Sequence, residues 1–414
     1  MPLLFELDTL TIVGISIAAA FAVGQLFRQL GIPQVVGFIV TGVLLGPSLL
    51  HVIPIDLNQG LDFVSEIALG LIGFEMGGHL HWGDLRETGW SILLIVLLEA
   101  LGAFLLVTGG LYLVSRSLHT ALVFGALAAA TDPASTVDVL SEYHARGPLT
   151  TRLLAVVGLD DAISLLLFSI AAALTEGLLG APDGLSLVTV LELPFYEIGG
   201  AVLFGAALGI GLDLIMRYLK LTPGKFDAMV IPIGIILLCA GLARSFSFSV
   251  TLSTMVMGIV VINRNPDNGH YIRSTIESVG PVIYILFFAL AGARLEIPLL
   301  LGMGLIGITY LILRGGGKFV GAWLGGTISK TPPAVRKNLG FALFAQAGVV
   351  IGLAIESNLR FSELGPQGET LGALVLGVIT ATTVLSQLIG PVMVKFAITR
   401  AAEAGKALDT LFAE

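Results

Sequence analysis

Run after run of about twenty apolar residues, separated by short polar or Pro/Gly-rich joints, fills almost the whole chain. A bilayer-spanning helix needs about 20 mostly apolar residues. Thirteen such runs can be drawn, at 9–27, 34–50, 60–79, 90–115, 119–141, 150–175, 193–218, 226–243, 248–264, 273–293, 298–328, 335–357 and 370–398. They are continuously apolar rather than alternating, which excludes a transmembrane β-barrel. Of 414 residues, 56% are hydrophobic and 12% charged, against about 25% charged in an ordinary soluble domain. The expected fold is therefore an all-α polytopic membrane protein of about thirteen transmembrane helices, and not a soluble enzyme. A net charge of −8 with no basic patch excludes nucleic acid as a partner. Cys239 is the single cysteine, so there is no disulfide framework. Met1-Pro-Leu-Leu-Phe-Glu-Leu-Asp8 lacks the basic start of a cleaved signal. Gly316-Gly317-Lys318-Phe319 lacks the Ser or Thr of a phosphate loop, and no cofactor is expected.

Basic residues favour the cytoplasmic joints of a membrane protein. With the N-terminus outside, the inner segments carry 15 Lys and Arg and the outer ones 4. The expected topology is multi-pass in the cell membrane, N-terminus outside and C-terminus cytoplasmic. Two further basic residues, Arg314 and Lys318, fall inside a span.

The chain also repeats itself. Glu99-Ala-Leu-Gly-Ala-Phe104 matches Arg314-Gly-Gly-Gly-Lys-Phe319 at an offset of 215, and Gly42 answers Gly258 at nearly the same offset. Such a shift maps spans 1–6 onto 8–13 with opposite orientation, leaving span 7 as a connector. The pattern is that of two inverted six-helix repeats.

Charges inside spans are expensive and mark function by default. They are Glu75, Glu99, Asp132, Asp138, Asp160, Asp161, Arg314 and Lys318. In Thr131-Asp132-Pro133 the proline has no N–H and clashes with the preceding turn, so the helix breaks or kinks there. A true break lines a cavity or is buried in protein, with Asp132 facing the half-helix dipoles; the plainer alternative is a proline kink capped by Asp132. Asp160 and Asp161 lie about ten residues inside their span. Two adjacent carboxylates in hydrocarbon cannot both be ionised without partners, which suits a group that exchanges a proton for a hard cation. Lys318 is the natural counter-charge for one of them, and Arg314, one turn earlier, for Glu99 or Asp132. Glu75 either coordinates or gates, or lies near the inner interface, whereas Asp138 is expected to be solvated. His79 and His81 flank that interface at a spacing unsuited to sharing a metal.

At these residues the chain resembles the monovalent cation/proton antiporter superfamily of Nha-type and Kef-type carriers. The resemblance rests on Ile32-Pro-Gln-Val-Val-Gly-Phe-Ile-Val-Thr-Gly-Val-Leu-Leu-Gly-Pro47, Ala130-Thr-Asp132, Asp160-Asp161, Gly317-Lys-Phe-Val-Gly321 and Phe344-Ala-Gln-Ala-Gly-Val349. It implies the Nha-type fold with two broken crossing helices, although the second crossing segment has no proline. It also implies a dimerising scaffold (1–84 and 226–297), a moving core (85–175 and 298–400), a linker helix (193–218) and a short cytoplasmic tail (401–414). The implied activity is exchange of Na+, or of Li+ or K+, for protons by a homodimer in membrane lipid. Cation and proton compete at Asp161, with Asp160 and Thr131 as further oxygens for Na+ and with Asp132 and Lys318 beside them. Glu75, Ser164, Arg314 and Gln346 are accessory candidates. If cation binding breaks an Asp160–Lys318 pair, Lys318 can release a second proton, which makes the exchange electrogenic. The alternatives are a Kef-type K+/H+ antiporter, which ordinarily carries a cytoplasmic nucleotide-binding domain, a channel, or a sodium-coupled organic-solute symporter.

Overall fold

The computed structural model describes residues 8–54, 60–179, 187–219, 227–294 and 304–406. Lys220, Lys225, the span ends at 226 and 298–303, and the tail beyond 406 lie outside the described residues. Fifteen helices occupy the rest: α1 (Thr9–Gln29), α2 (Gln34–Leu45), α3 (Asp62–Gly78), α4 (Trp82–Ser115), α5 (Leu118–Leu127), α6 (Pro133–Glu142), α7 (Pro148–Leu178), α8 (Leu187–Tyr218), α9 (Asp227–Ser245), α10 (Val250–Arg264), α11 (Pro266–Ala293), α12 (Gly304–Ile328), α13 (Pro333–Ala342), α14 (Gly348–Ser362) and α15 (Pro366–Arg400).

They resolve into the thirteen spans, because α5–α6 and α13–α14 are each one crossing interrupted at mid-length. Among the described residues only six helices, α1, α4, α7, α8, α11 and α15, are long and apolar enough to cross a bilayer unaided. The others are short, broken or glycine-rich. Local chemistry sets several starts. Ser117 and Ser249 accept hydrogen bonds from the first turns of α5 and α10, and Pro133 and Pro148 stand at the first turns of α6 and α7, where a missing N–H costs nothing.

Two groups of helices pack mainly among themselves. One is α1–α3 with α9–α11; the other is α4–α7 with α12–α15. Helix α8 lies chiefly against α10. Within each group glycine lets backbones touch. A methyl on Gly42 would fall 2.0 Å from the Ala289 carbonyl oxygen, and one on Gly258 would fall 2.4 Å from that of Phe74. Likewise Gly77 abuts the carbonyl of Met255, and Gly292 that of Ile39. These four contacts form two reciprocal pairs at nearly the offset read from the sequence, the signature of a two-fold relation.

The stretch after α15, at the start of the expected short tail (401–414), is packed onto the helices. Ala402 adopts a left-handed conformation (φ 56°), and the chain folds back so that Glu403 is 1% exposed. Its carboxylate accepts from the backbone N–H of Leu149 (2.7 Å) and Thr150 (2.8 Å) and from the Thr150 hydroxyl (2.8 Å). Those are orphan donors of the first turn of α7, the helix that carries Asp160 and Asp161. A carboxylate there also meets the positive end of the helix dipole.

Candidate functional site

The site lies where the two interrupted spans cross. Residues 128–132 and 343–347 are non-helical, and the two segments touch through the Asp132 N–H, which donates to the Ala345 carbonyl at 3.1 Å. The first break follows from Pro133. Asp132 caps the half-helix that begins there, its carboxylate accepting from the N–H of Ala134 (3.0 Å) and Ser135 (3.3 Å). Both sequence readings of this residue were partly right: the helix is broken outright, and Asp132 serves as its cap.

The second break has no proline, and its cause lies elsewhere in the chain. The Arg314 guanidinium donates to the carbonyls of Ala130 (2.6 Å), Phe344 (2.7 Å) and Ala345 (3.2 Å). The Gln346 amide donates to the Leu127 carbonyl at 2.9 Å, and its oxygen accepts from the Tyr310 hydroxyl at 3.1 Å. An unsatisfied carbonyl in hydrocarbon costs several kcal/mol, and five donors in a rigid plane suit one arginine to several carbonyls. The expectation that Arg314 pairs with Glu99 or Asp132 is thereby corrected: its partners are main-chain oxygens of both breaks. Gln346 is likewise engaged with backbone and Tyr310.

Beside the crossing, Lys318 is fully buried and surrounded by oxygen. Its ammonium contacts Asp160 Oδ2 (2.6 Å), Glu99 Oε2 (2.7 Å), Thr131 Oγ1 (2.8 Å) and the Ala129 carbonyl. Thr131 in turn donates its hydroxyl to Asp160 Oδ2. The structure therefore brings together Thr131, Asp160 and Lys318. Asp161, next to Asp160 on α7, is 9% exposed. Asp160 Oδ1 and Asp161 Oδ1 are both buried with no hydrogen-bond partner. Ser164, by contrast, donates its hydroxyl to the backbone carbonyl of Asp161 (2.8 Å), a bond within its own helix.

Glu75 takes other partners. It is buried between three helices and accepts from Ser141 on α6 (3.0 Å) and Tyr284 on α11 (3.1 Å). Asp138, expected to be solvated, is half-buried. The residue that sequence reasoning misplaced is Glu99, which faces Lys318 rather than Arg314. The signal was present in the repeat. Gly102 and Gly317 lie in contact, each abutting the other's carbonyl, and that crossing sets the residue a turn before Gly102 against the residue after Gly317.

Fold and site together define a polytopic secondary transporter with a buried carboxylate cluster at crossed, broken helices. The profile of the sodium/hydrogen exchanger transmembrane family matches residues 15–398, and the chain belongs to that family. It exchanges a monovalent cation for protons. Among curated relatives it is 24% identical to the Na(+)/H(+) antiporter NhaP of Pseudomonas aeruginosa, over 89% of this chain and 92% of that protein. It is 22% identical to the ammonium/H(+) antiporter subunit AmhT of Alkalihalophilus pseudofirmus, over 84% and 83% of the two chains. Two structures of the sodium proton antiporter MjNhaP1 from Methanocaldococcus jannaschii share its fold, with TM-scores of 0.68 and 0.73 at 20% and 19% identity; each covers 96% of this chain and 98% of that one.

Proposed function

We propose that the chain exchanges Na+, with Li+ or K+ as alternative substrates, for protons, and that cation and proton compete at Asp161. The observation that carries this is the unpartnered Asp161 Oδ1, buried beside the crossing. A carboxylate oxygen so placed takes either a proton or a hard cation, and it cannot hold both. Asp160 Oδ1, equally unpartnered, and Thr131, whose hydroxyl meets Asp160 Oδ2, would add oxygens around a small monovalent ion. The proposed working unit is a homodimer in the cell membrane, N-terminus outside. Residues 85–175 and 298–400 move as the core against the scaffold of 1–84 and 226–297, with 193–218 linking them. Names of relatives support Na+ first; AmhT makes ammonium worth including.

Glu99 favours a second reading of the charge balance. If Lys318 gives up its proton once Asp160 turns to the cation, two protons leave per cation and the exchange is electrogenic, worth about 2.3 kcal/mol per 100 mV. If Glu99 retains the ammonium, one proton leaves and voltage has no grip. Steady current on a solid-supported membrane under a Na+ step supports the first reading; a flat trace alongside active exchange supports the second.

Dequenching of a pH dye in everted vesicles, driven in turn by Na+, Li+, K+ and ammonium, tests the activity itself. The wild type should respond to Na+, and Asp161→Asn should not, while still purifying as a folded protein. Undiminished Na+-driven proton flux in Asp161→Asn would remove Asp161 from its proposed role.

A further inference from the structure

Lys318 has more anionic company than the exchange reaction needs. Two carboxylates from two different helices, Asp160 on α7 and Glu99 on α4, stand 2.6 and 2.7 Å from its ammonium. Lys318 is the cation that Glu99 meets, and the side chain is fully buried. Burying a carboxylate this deep is costly unless it is paired, so packing alone does not explain it.

The two carboxylates are attached very differently. Glu99 and Lys318 sit on α4 and α12, which form the most extensive helix contact in the described residues. A methyl on Gly321 would fall 2.5 Å from the Glu99 Cα, and one on Gly317 would fall 2.6 Å from the Ala103 Cα. With backbone against backbone, these helices cannot slide or separate without losing that contact, so the Glu99–Lys318 distance is fixed by the scaffold of the pair. Asp160, on α7, is bound to Lys318 and Thr131 by side-chain contacts alone.

We infer that Glu99 is a positioning residue: it holds the Lys318 ammonium against α4, so that Asp160 can let go of Lys318 and turn its carboxylate to the incoming cation. Removing one partner of a buried ion pair is strongly unfavourable because the other charge is left uncompensated. Glu99 relieves that cost, since Lys318 keeps an ionic partner whichever way Asp160 points. The inference rests on the proposed cation site at Asp160 and Asp161, and it favours the one-proton reading of the exchange.

The test is equilibrium binding of radiolabelled Na+ to purified protein, which requires no turnover. Glu99→Gln leaves Asp160 as the sole anionic partner of Lys318, and its Kd for Na+ should rise roughly tenfold or more. Glu99→Gln combined with Lys318→Gln removes the ammonium that Asp160 would have to abandon, and binding should return to the wild-type Kd or tighter. Wild-type affinity in Glu99→Gln overturns the inference. So does a double variant as weak as Glu99→Gln, which would mean that Glu99 attracts the cation by charge alone. Should Glu99→Gln fail to fold, the comparison becomes Lys318→Gln against the double variant: equal Kd values sustain the inference and unequal ones refute it. Asp161→Asn separates this from the underlying site. Binding lost there but normal in Glu99→Gln discards only the role of Glu99, whereas binding kept in Asp161→Asn discards the site.

Discussion

At the scale of single residues, Arg314 and Lys318 divide two tasks that a cation inside a membrane can perform. Arg314 spreads its donors over three carbonyls left open by the helix breaks, whereas Lys318 faces carboxylates. Their exchange is therefore not conservative. Arg314→Gln should leave at least two of those carbonyls without donors and lower stability by on the order of 3 kcal/mol, seen as an earlier unfolding transition in detergent. Arg314→Lys should lie between, since one ammonium cannot serve both breaks in the geometry of the guanidinium fork. A melting curve identical to wild type in Arg314→Gln would contradict the assignment. Ser164 carries no comparable expectation, because its hydroxyl is bound to its own helix.

At the scale of elements, the first crossing break was legible from its own residues and the second only through the resemblance, for a physical reason. Pro133 acts on its own turn, so its effect is readable from neighbours. The break at 343–347 is stabilised by Arg314 and Gln346 reaching across the crossing, and no local feature of Leu343-Phe-Ala-Gln-Ala347 announces it. The cap of α7 was hidden in the same way, because its donor turn and Glu403 lie some 250 residues apart. Glu403→Ala should cost about 1–2 kcal/mol, and a chain ending after Ala402 should lose exchange where one ending after Lys406 keeps it. Equal Na+-driven proton flux from the two truncations would show that the fold-back is dispensable. The contact of α4 with α12 was partly legible, through Gly102 and Gly317. Gly317→Leu should force those backbones apart and abolish exchange, measured in vesicles after protein level is matched. Normal exchange in that variant would mean the helix pair tolerates separation that its geometry forbids.

At the scale of the whole molecule, composition, span count and the internal offset of 215 were enough to reach an all-α polytopic protein of inverted repeats, and the resemblance supplied the Nha-type fold. The proposed orientation rests on the charge count and is open to labelling. In a Cys239→Ser background, a thiol at position 57 should react with an impermeant reagent from outside and one at position 222 should not; the reverse pattern would invert the topology. Competition of cation and proton for one buried carboxylate is what makes such a molecule an exchanger rather than a leak. Its most direct test is the pH dependence of Na+-driven exchange by purified wild-type protein in proteoliposomes. If Asp161 holds either ion but never both, lowering the pH should raise the KM for Na+, approaching tenfold per pH unit, while the rate at saturating Na+ stays constant. A KM that does not move while the saturated rate falls would contradict a shared site.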